Sequence, residues 1–585
     1  MKLFRWSAFV AAAFAVAACR DATEPGPSAL PTSAAMATVP GASQVAAMYF
    51  PDFVSPAATG YDLNDSGDVV GRSYRDIGCG SFCLPPEEIV VWRGGNRIVL
   101  PLVPGNPVSY HFPFYINNQG LLAGEVGYPG ATTHAAVWRP SGATYTAQDL
   151  GVFPGTSMAD VNGLDELGRM VGWSTLGGAI PSLTIPFMWS QATGFVNLKA
   201  QGFPNERPAA ISPNGTVVTW TSWYRLGVPG SVRQLPPSPP SFGGAGSNGS
   251  AINDAGDQAH ILASVNTQNL RYPFRLPNGG NWQQISNLGT GRLSRYGMGS
   301  INAALDVTFT AQSKGMIAPG PAGQGLPLTS LVSPAYPGVT IHEGGQMNSS
   351  GVILSRALIG RSERVVKLTP AVPCGSNCII VSSLVITSQF VQDPAFPGSC
   401  IQGGKMHNLT TVTATVTSET GAPLTSVVLN GRFLDDYWTN NAVSGTTNAA
   451  GIVTFTYKGP CGVGAIAFLV DSTTLGTRRL DRTRGRLTNF AIPGVAPPTN
   501  QPPVAAWTVS CQPAPAHTCT FNGSGSSDPD GTIVGYRWTN AGGTQLSTAA
   551  VFTKTFPGSG TRTWTLTVTD NGGKTGTLTK TFTVP

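Results

Sequence analysis

Charge is sparse in this chain: Asp, Glu, Lys and Arg make up 11% of 585 residues and leave a formal charge of +6. With no long basic tract, the electrostatic footprint of a nucleic-acid binder is missing, and no nucleic-acid partner is expected. Histidine is rare, at positions 111, 134, 260, 342, 407 and 517, and His342-Glu343 lacks the second His of a zinc-protease helix. No G-x-S-x-G elbow occurs. Beyond the first 19 residues, no run is apolar enough to cross a bilayer. These absences remove the common single-motif enzymes. A catalytic site, if there were one, would have to be assembled from several parts of the chain.

What the chain has is Gly (72) and Pro (48), placed between short runs of Val, Ile, Thr, Phe and Trp. Such punctuation predicts an all-β protein, and the length predicts several domains. One phrase, Leu63-Asn64-Asp65-Ser66-Gly67-Asp68-Val69-Val70-Gly71, returns in altered form at Ile116, Leu164, Ile211, Ile252, Ile301 and Met347. The starts are separated by 53, 48, 47, 41, 49 and 46 residues. A period of roughly 40–50 residues with several short strands per unit predicts a seven-bladed β-propeller over residues 45–372. An apolar residue, then Asn, Asp or Ser, two free positions and Gly, spells a type I turn joining two strands of a hairpin. The sixth copy carries Leu305 where Gly is expected.

Later in each unit comes an apolar-aromatic strand: EIVVWR at 88–93, AVWR at 136–139, FMWS at 187–190, FRL at 274–276 and VVKL at 365–368. Trp92, Trp138 and Trp189 are expected to pack between blades. The last unit lacks a fourth strand, and residues 46–50 offer one, which predicts that the N-terminal strand closes the ring and removes an exposed edge. The phrase with its V-V-G and the aromatic-Trp strand resembles the HAF repeats of bacterial extracellular proteins, which implies a propeller-like fold at the cell surface.

Residues 373–495 change to alternating β-branched strands such as Leu409 to Thr417 and predict an Ig-like β-sandwich. They resemble bacterial Ig-like domains. Arg478, Arg479, Arg482, Arg484 and Arg486 cluster there, expected as a solvated strand face, with an anionic glycan or lipid head group as the alternative contact. Residues 496–585 open with a Pro-rich linker. They carry Asn500-Gln501-Pro502-Pro503-Val504-Ala505, Ser524-Gly525-Ser526-Ser527-Asp528-Pro529-Asp530-Gly531, then Tyr536 and Trp538, and Trp564-Thr565-Leu566-Thr567-Val568-Thr569-Asp570. These motifs resemble a PKD domain, an extracellular β-sandwich that serves as a spacer or binding module. Its W-D-F-G-D-G stretch is here Trp538-Thr539-Asn540-Ala541-Gly542-Gly543, without either carboxylate.

Residues 1–19 combine Lys2 and Arg5 with an Ala-rich core, which predicts a signal peptide. Val16-Ala17-Ala18-Cys19 resembles the lipobox of bacterial lipoproteins, implying lipidation at Cys19 and a membrane partner through that anchor. With Arg20 in place of Asp, the resemblance points to the outer membrane. Residues 20–44, rich in Ala, Pro, Ser and Thr, are expected to be a flexible tether. Setting Cys19 aside leaves an even number of cysteines and an expected set of disulfides, Cys79 with Cys83, Cys374 with Cys378, Cys400 with Cys461 and Cys511 with Cys519.

No cofactor is expected. Asp62 to Gly67, whose oxygens alternate along a tight turn, is similar to a calcium loop. The position of Asp62 becomes Tyr115, Gly163, Ala210, Ala251, Ser300 and Gln346 in the other copies, so a repeated metal loop is excluded. Asp528 and Asp530 stay as weak calcium candidates beside the plainer reading of a D-P-D-G turn. The function expected is non-enzymatic: a lipid-anchored surface protein binding an extracellular glycan or surface protein. The alternatives are a polysaccharide hydrolase or lyase with its site in the ring, and a structural envelope component.

Overall fold

This computed structural model describes residues 48–585 apart from 57, 75–86, 105–109, 130–131, 176–183, 229, 241, 265–270, 286–295, 321–322, 393–405, 436–439, 460–464, 494–500, 530–531 and 571–572. Among the described residues, regular structure is all strand except two 3-10 turns, Leu198–Gln201 and Leu328–Leu331.

Seven four-stranded antiparallel sheets follow one another. Sheets 1 to 6 span 58–99, 110–151, 158–197, 210–234, 242–284 and 296–327. Sheet 7 is built from Val339–Ile341, Ile353–Ile359 and Ser362–Pro370, and its outer strand is the N-terminal Tyr49–Pro56. That strand pairs from Tyr49 opposite Pro370 to Pro56 opposite Arg364. The edge that the last repeat leaves open is thereby filled by the start of the chain. First strands of successive sheets from 1 to 6 pack on one another, as in a propeller-like ring with the fourth strands outermost.

The repeated phrase forms the turn between first and second strands. Its Asn, Asp or Ser accepts backbone N–H groups ahead of it: Asn117 Oδ1 from Gln119 and Leu121, Asp165 Oδ1 from Leu167 and Arg169, Asn302 Oδ1 from Ala304 and Asp306. The Gly at the fourth turn position has positive φ, 80° at Gly67 and 75° at Gly120. Leu305 adopts the same left-handed conformation at 65°, so the sixth turn keeps its shape despite the missing Gly.

The same side chains also stitch the sheets together. Asn64 Nδ2 donates to the Asn117 carbonyl at 3.1 Å, Asn117 to Asp165 at 3.2 Å, Asn253 to Asn302 at 2.8 Å, and Asn348 back to Asn64 at 3.2 Å. Apolar contacts fill the space between sheets. Trp138 packs with Val70 and Val91 of sheet 1, Trp189 with Ala135 and Val137 of sheet 2, and Trp92 with Leu354 and Val365 of sheet 7. All three indoles are buried, and truncating one to Ala would cost about 3–5 kcal/mol.

The first sandwich faces Ile452–Gly459, Met406–Thr417, Cys378–Gln392 and Arg479–Leu480 against Asn440–Thr446, Val428–Asp435, Ile466–Thr474 and Thr488–Ala491. It shares one apolar core with sheet 7, in which Tyr49, Tyr336 and Leu368 join Leu384, Phe433 and Phe468. Arg482 reaches into this seam: Nη1 donates to Tyr336 Oη at 2.8 Å, Nη2 to the Asp471 carbonyl at 2.7 Å, and the guanidinium lies 4.5 Å from the Phe50 ring centre. Its carbonyl accepts from Ser333 Oγ at 2.6 Å. The expected solvated arginine face is therefore corrected at Arg482, while Arg479 and Arg484 are exposed as expected. Arg478 bonds Glu419 and the Cys378 carbonyl, Arg479 the Cys374 carbonyl, and Arg484 Asp481, so these cations hold the sandwich and its junction together.

The C-terminal sandwich pairs Thr508–Cys511, Thr518–Asn522 and Val551–Thr555 against Gln545–Ser547, Ile533–Asn540, Gly560–Asp570 and Thr575–Val584. Trp507, Phe521, Trp538, Trp564 and Phe582 fill it. Trp538 Nε1 donates to the Ala549 carbonyl at 2.9 Å, which satisfies the indole inside the core.

Candidate binding cleft between sheets 2 and 3

The third strand of a sheet ends beside the turn of the next, and what stands there differs from sheet to sheet. In sheet 1 the strand Glu87–Arg93 ends on Arg93, whose Nε donates to Asp68 at 2.7 Å and whose Nη2 donates to Tyr145 Oη of sheet 2 at 2.7 Å. Burial alone would lower this guanidinium's pKa, but the Asp68 carboxylate outweighs it and raises the value. Tyr145 fills the remaining space between the sheets, with Arg93 5.5 Å from its ring centre.

Strand registers place the equivalent groups in sheet 2. Val69 faces Trp92 and Leu122 faces Trp138, so Asp68 corresponds to Leu121 and Arg93 to Arg139. The carboxylate is gone. Among the described residues, Arg139 bonds the amide oxygens of Gln148 at 2.8 Å and Gln191 at 2.5 Å, and lies 5.8 Å from the Trp189 ring centre. Burial lowers its pKa, and no acidic neighbour among the described residues offsets this. The filler is gone as well. In sheet 2, Arg139 pairs with Thr146 and Pro140 with Tyr145, whereas in sheet 3 Ser190 already closes on Gly194, so the shorter hairpin carries no such tyrosine.

An open cleft of about 410 Å³ results, lined by Gln119, Leu121, Arg139, Arg169, Trp189 and Gln191 among others. Arg169 is neutralised by Asp165 at 2.7 Å, which leaves Arg139 as the cleft's uncompensated cation. A smaller cleft of about 170 Å³ repeats the arrangement between sheets 4 and 5, where Thr216 takes the place of Asp68 and Arg225 that of Arg93, but Asp254 shares it.

Two other groups carry chemistry. Asp62 lies between the first strands of sheets 1 and 2, accepting from the Leu63 and Ile116 N–H groups at 2.9 Å each. Burial outweighs these bonds and pushes its carboxyl up to about 7. His260 Nδ1 is 2.9 Å from Ser250 Oγ and its Nε2 2.9 Å from Gln258 Oε1. Full burial lowers His260 to about 4, which makes it a weak base toward that hydroxyl.

Of the residues singled out in the sequence, Cys374 and Cys378 form a disulfide, as do Cys511 and Cys519. Cys19, Cys79, Cys83, Cys400, Cys461 and Asp530 lie outside the described residues. Asp528 is half-buried, just after the Ser527 bridge to Val504. Among the described residues, no three or more His, Cys, Asp or Glu side chains gather to hold a metal ion. Trp189 sits in the cleft wall, while Arg139 and Leu121 were not singled out. Aligning the residue after each turn Gly with the end of each third strand would have exposed their mismatch.

Residues 500–585 match the family model described as the PKD domain. The C-terminal unit is a PKD domain. The PKD1 domain of the Vibrio cholerae metalloprotease PrtV is 33% identical to it, a match covering 14% of this chain and 98% of that one, with a TM-score of 0.13. The extracellular domain of a hybrid two-component system of B. thetaiotaomicron is 11% identical over 73% of this chain and 54% of its own, with a TM-score of 0.31. A Trypanosoma rangeli sialidase is 11% identical over 68% and 90%, with a TM-score of 0.26. No curated protein sequence matches the chain. In this PKD domain the Trp538 stretch forms a polar turn, with Asn540 Oδ1 accepting from the Thr544 N–H at 2.9 Å. No helix among the described residues is long and apolar enough to cross a membrane.

Proposed function

We propose that the chain is a non-enzymatic cell-surface recognition protein, lipid-anchored at Cys19, whose seven-sheet ring binds an extracellular glycan or surface protein. The supporting observation is the cleft at Arg139: a cation stripped of the acidic partner that the same position has at Arg93, in an open space of about 410 Å³, the size of small-ligand sites. The first sandwich shares its core with sheet 7, so it acts as a rigid platform for the ring. A glycan array probed with the chain lacking residues 1–44 tests this reading. Signal lost on Arg139→Ala supports recognition through the cleft, and an array without signal, together with no captured surface protein, contradicts it.

A second reading, a hydrolase or lyase acting on polysaccharide, has one group in its favour: a carboxyl near 7 at Asp62 is suited to general acid catalysis. New reducing ends released from polysaccharide by the wild type, and not by Asp62→Ser, would support it.

A further inference from the structure

The repeat supplies its own control for what the cleft accepts. In sheet 1 the guanidinium at the end of the third strand meets a carboxylate oxygen at 2.7 Å. In sheet 2 the same backbone presents the same guanidinium to Leu121, and the only acceptors within its reach among the described residues are two neutral amide oxygens. A guanidinium partly withdrawn from water and paired only with neutral groups gains from a charged oxygen acceptor more than from anything else it can meet. The space above it is open because the short hairpin at Ser190 to Gly194 does not fill it. The wall around the guanidinium is made of side-chain amides, Gln119 and Gln191, and the Ser190 hydroxyl, backed by the buried indole of Trp189. Amides and hydroxyls in that number suit a ligand with many hydroxyl groups, and the volume suits one or two sugar rings rather than a long peptide.

We propose that the cleft between sheets 2 and 3 binds a carboxylated sugar of an acidic glycan, with the ligand carboxylate taking on Arg139 the place that Asp68 takes on Arg93. This rests on the recognition reading above and names its ligand class. Arg139 donates to the carboxylate, Gln119, Ser190 and Gln191 meet ring hydroxyls, and Leu121 covers an apolar ring edge. The cleft between sheets 4 and 5 is left out, because its volume of about 170 Å³ is small for a sugar ring and Asp254 offers its guanidinium groups a carboxylate already.

Calorimetric titration of the chain lacking residues 1–44 with α-1,4-trigalacturonate, its full methyl ester and poly-L-glutamate tests the proposal. Trigalacturonate is expected to bind, with the ester weaker by at least about tenfold, the loss corresponding to a charge-assisted hydrogen bond. Leu121→Asp should remove that binding by the same factor. An Asp already stands at this place in sheets 1, 5 and 6, as Asp68, Asp257 and Asp306, so the variant should keep its melting temperature. Equal binding of acid and ester overturns carboxylate recognition while leaving glycan recognition standing. Tighter binding of poly-L-glutamate overturns the choice of a sugar. Trigalacturonate binding unchanged in a folded Leu121→Asp variant overturns the assignment to this cleft, and no binding of any probe overturns the proposal outright.

Discussion

Asn348 donates from Nδ2 to the backbone carbonyl of Asn64 at 3.2 Å, joining the last turn of the ring to the first across 284 residues of sequence. Beside it the Ser349 N–H donates to Asp65 Oδ1 at 2.8 Å. The same amide holds its own turn, accepting from Ser350 at 3.1 Å and Val352 at 3.0 Å. One side chain thus shapes a hairpin and closes a ring. Asn348→Ala should destabilise the ring by about 2–3 kcal/mol, and Asn348→Asp, which keeps the acceptor and loses the donor, by about 1 kcal/mol. Urea unfolding followed by tryptophan fluorescence checks the order, and two wild-type midpoints would refute it.

At the junction of ring and sandwich, Tyr336→Phe removes the acceptor for Arg482 and should cost about 1.5–3 kcal/mol, since the bond is charge-assisted. The shared core predicts that ring and first sandwich melt in one calorimetric transition. A separate sandwich transition would show that the seam is weaker than its contacts indicate.

The turn letters of the repeat were legible because Asn, Asp, Ser and Gly have local physical reasons to stand where they do, and Trp92, Trp138 and Trp189 announced inter-sheet packing by recurring on one strand. What the letters could not tell is which carbonyl Asn64 Nδ2 would find, because that depends on the spacing of neighbouring sheets. The arginine cluster was misread at Arg482 for the same reason: its side chain packs against Tyr336 and Phe50, more than a hundred residues earlier in the chain, while Arg479 and Arg484 are exposed as expected. The cleft was hidden because its signal is a missing partner at Leu121, visible only once strand register aligns it with Asp68.

Asp62 predicts a pH dependence. Its carboxyl keeps its proton to about 7 in the folded chain and releases it near 3.8 when unfolded, so the folded state binds more protons between those values. Stability should therefore fall as pH rises from about 4 to about 7. In Asp62→Ser that slope should flatten, since Ser300 at the same place in sheet 6 accepts the Met347 N–H at 2.9 Å without a charge. Melting temperatures of both proteins from pH 4 to pH 8 check this, and parallel curves would contradict it.

Reducing the Cys511–Cys519 bridge, which spans 8 positions, should destabilise the PKD domain by about 2–3 kcal/mol through the entropy returned to its unfolded chain. Thermal melts of residues 496–585 in the chain context, with Cys511→Ser and Cys519→Ser combined, provide the comparison, and an unchanged PKD transition would refute it.

The proposed recognition rests on Arg139, a guanidinium without the carboxylate partner that Arg93 has. It is tested most directly by the affinity of wild type and of Leu121→Asp for one immobilised acidic glycan, measured side by side at low salt. A loss of at least about tenfold in the variant, at unchanged melting temperature, is the predicted result. Equal affinity in the two folded proteins would contradict it.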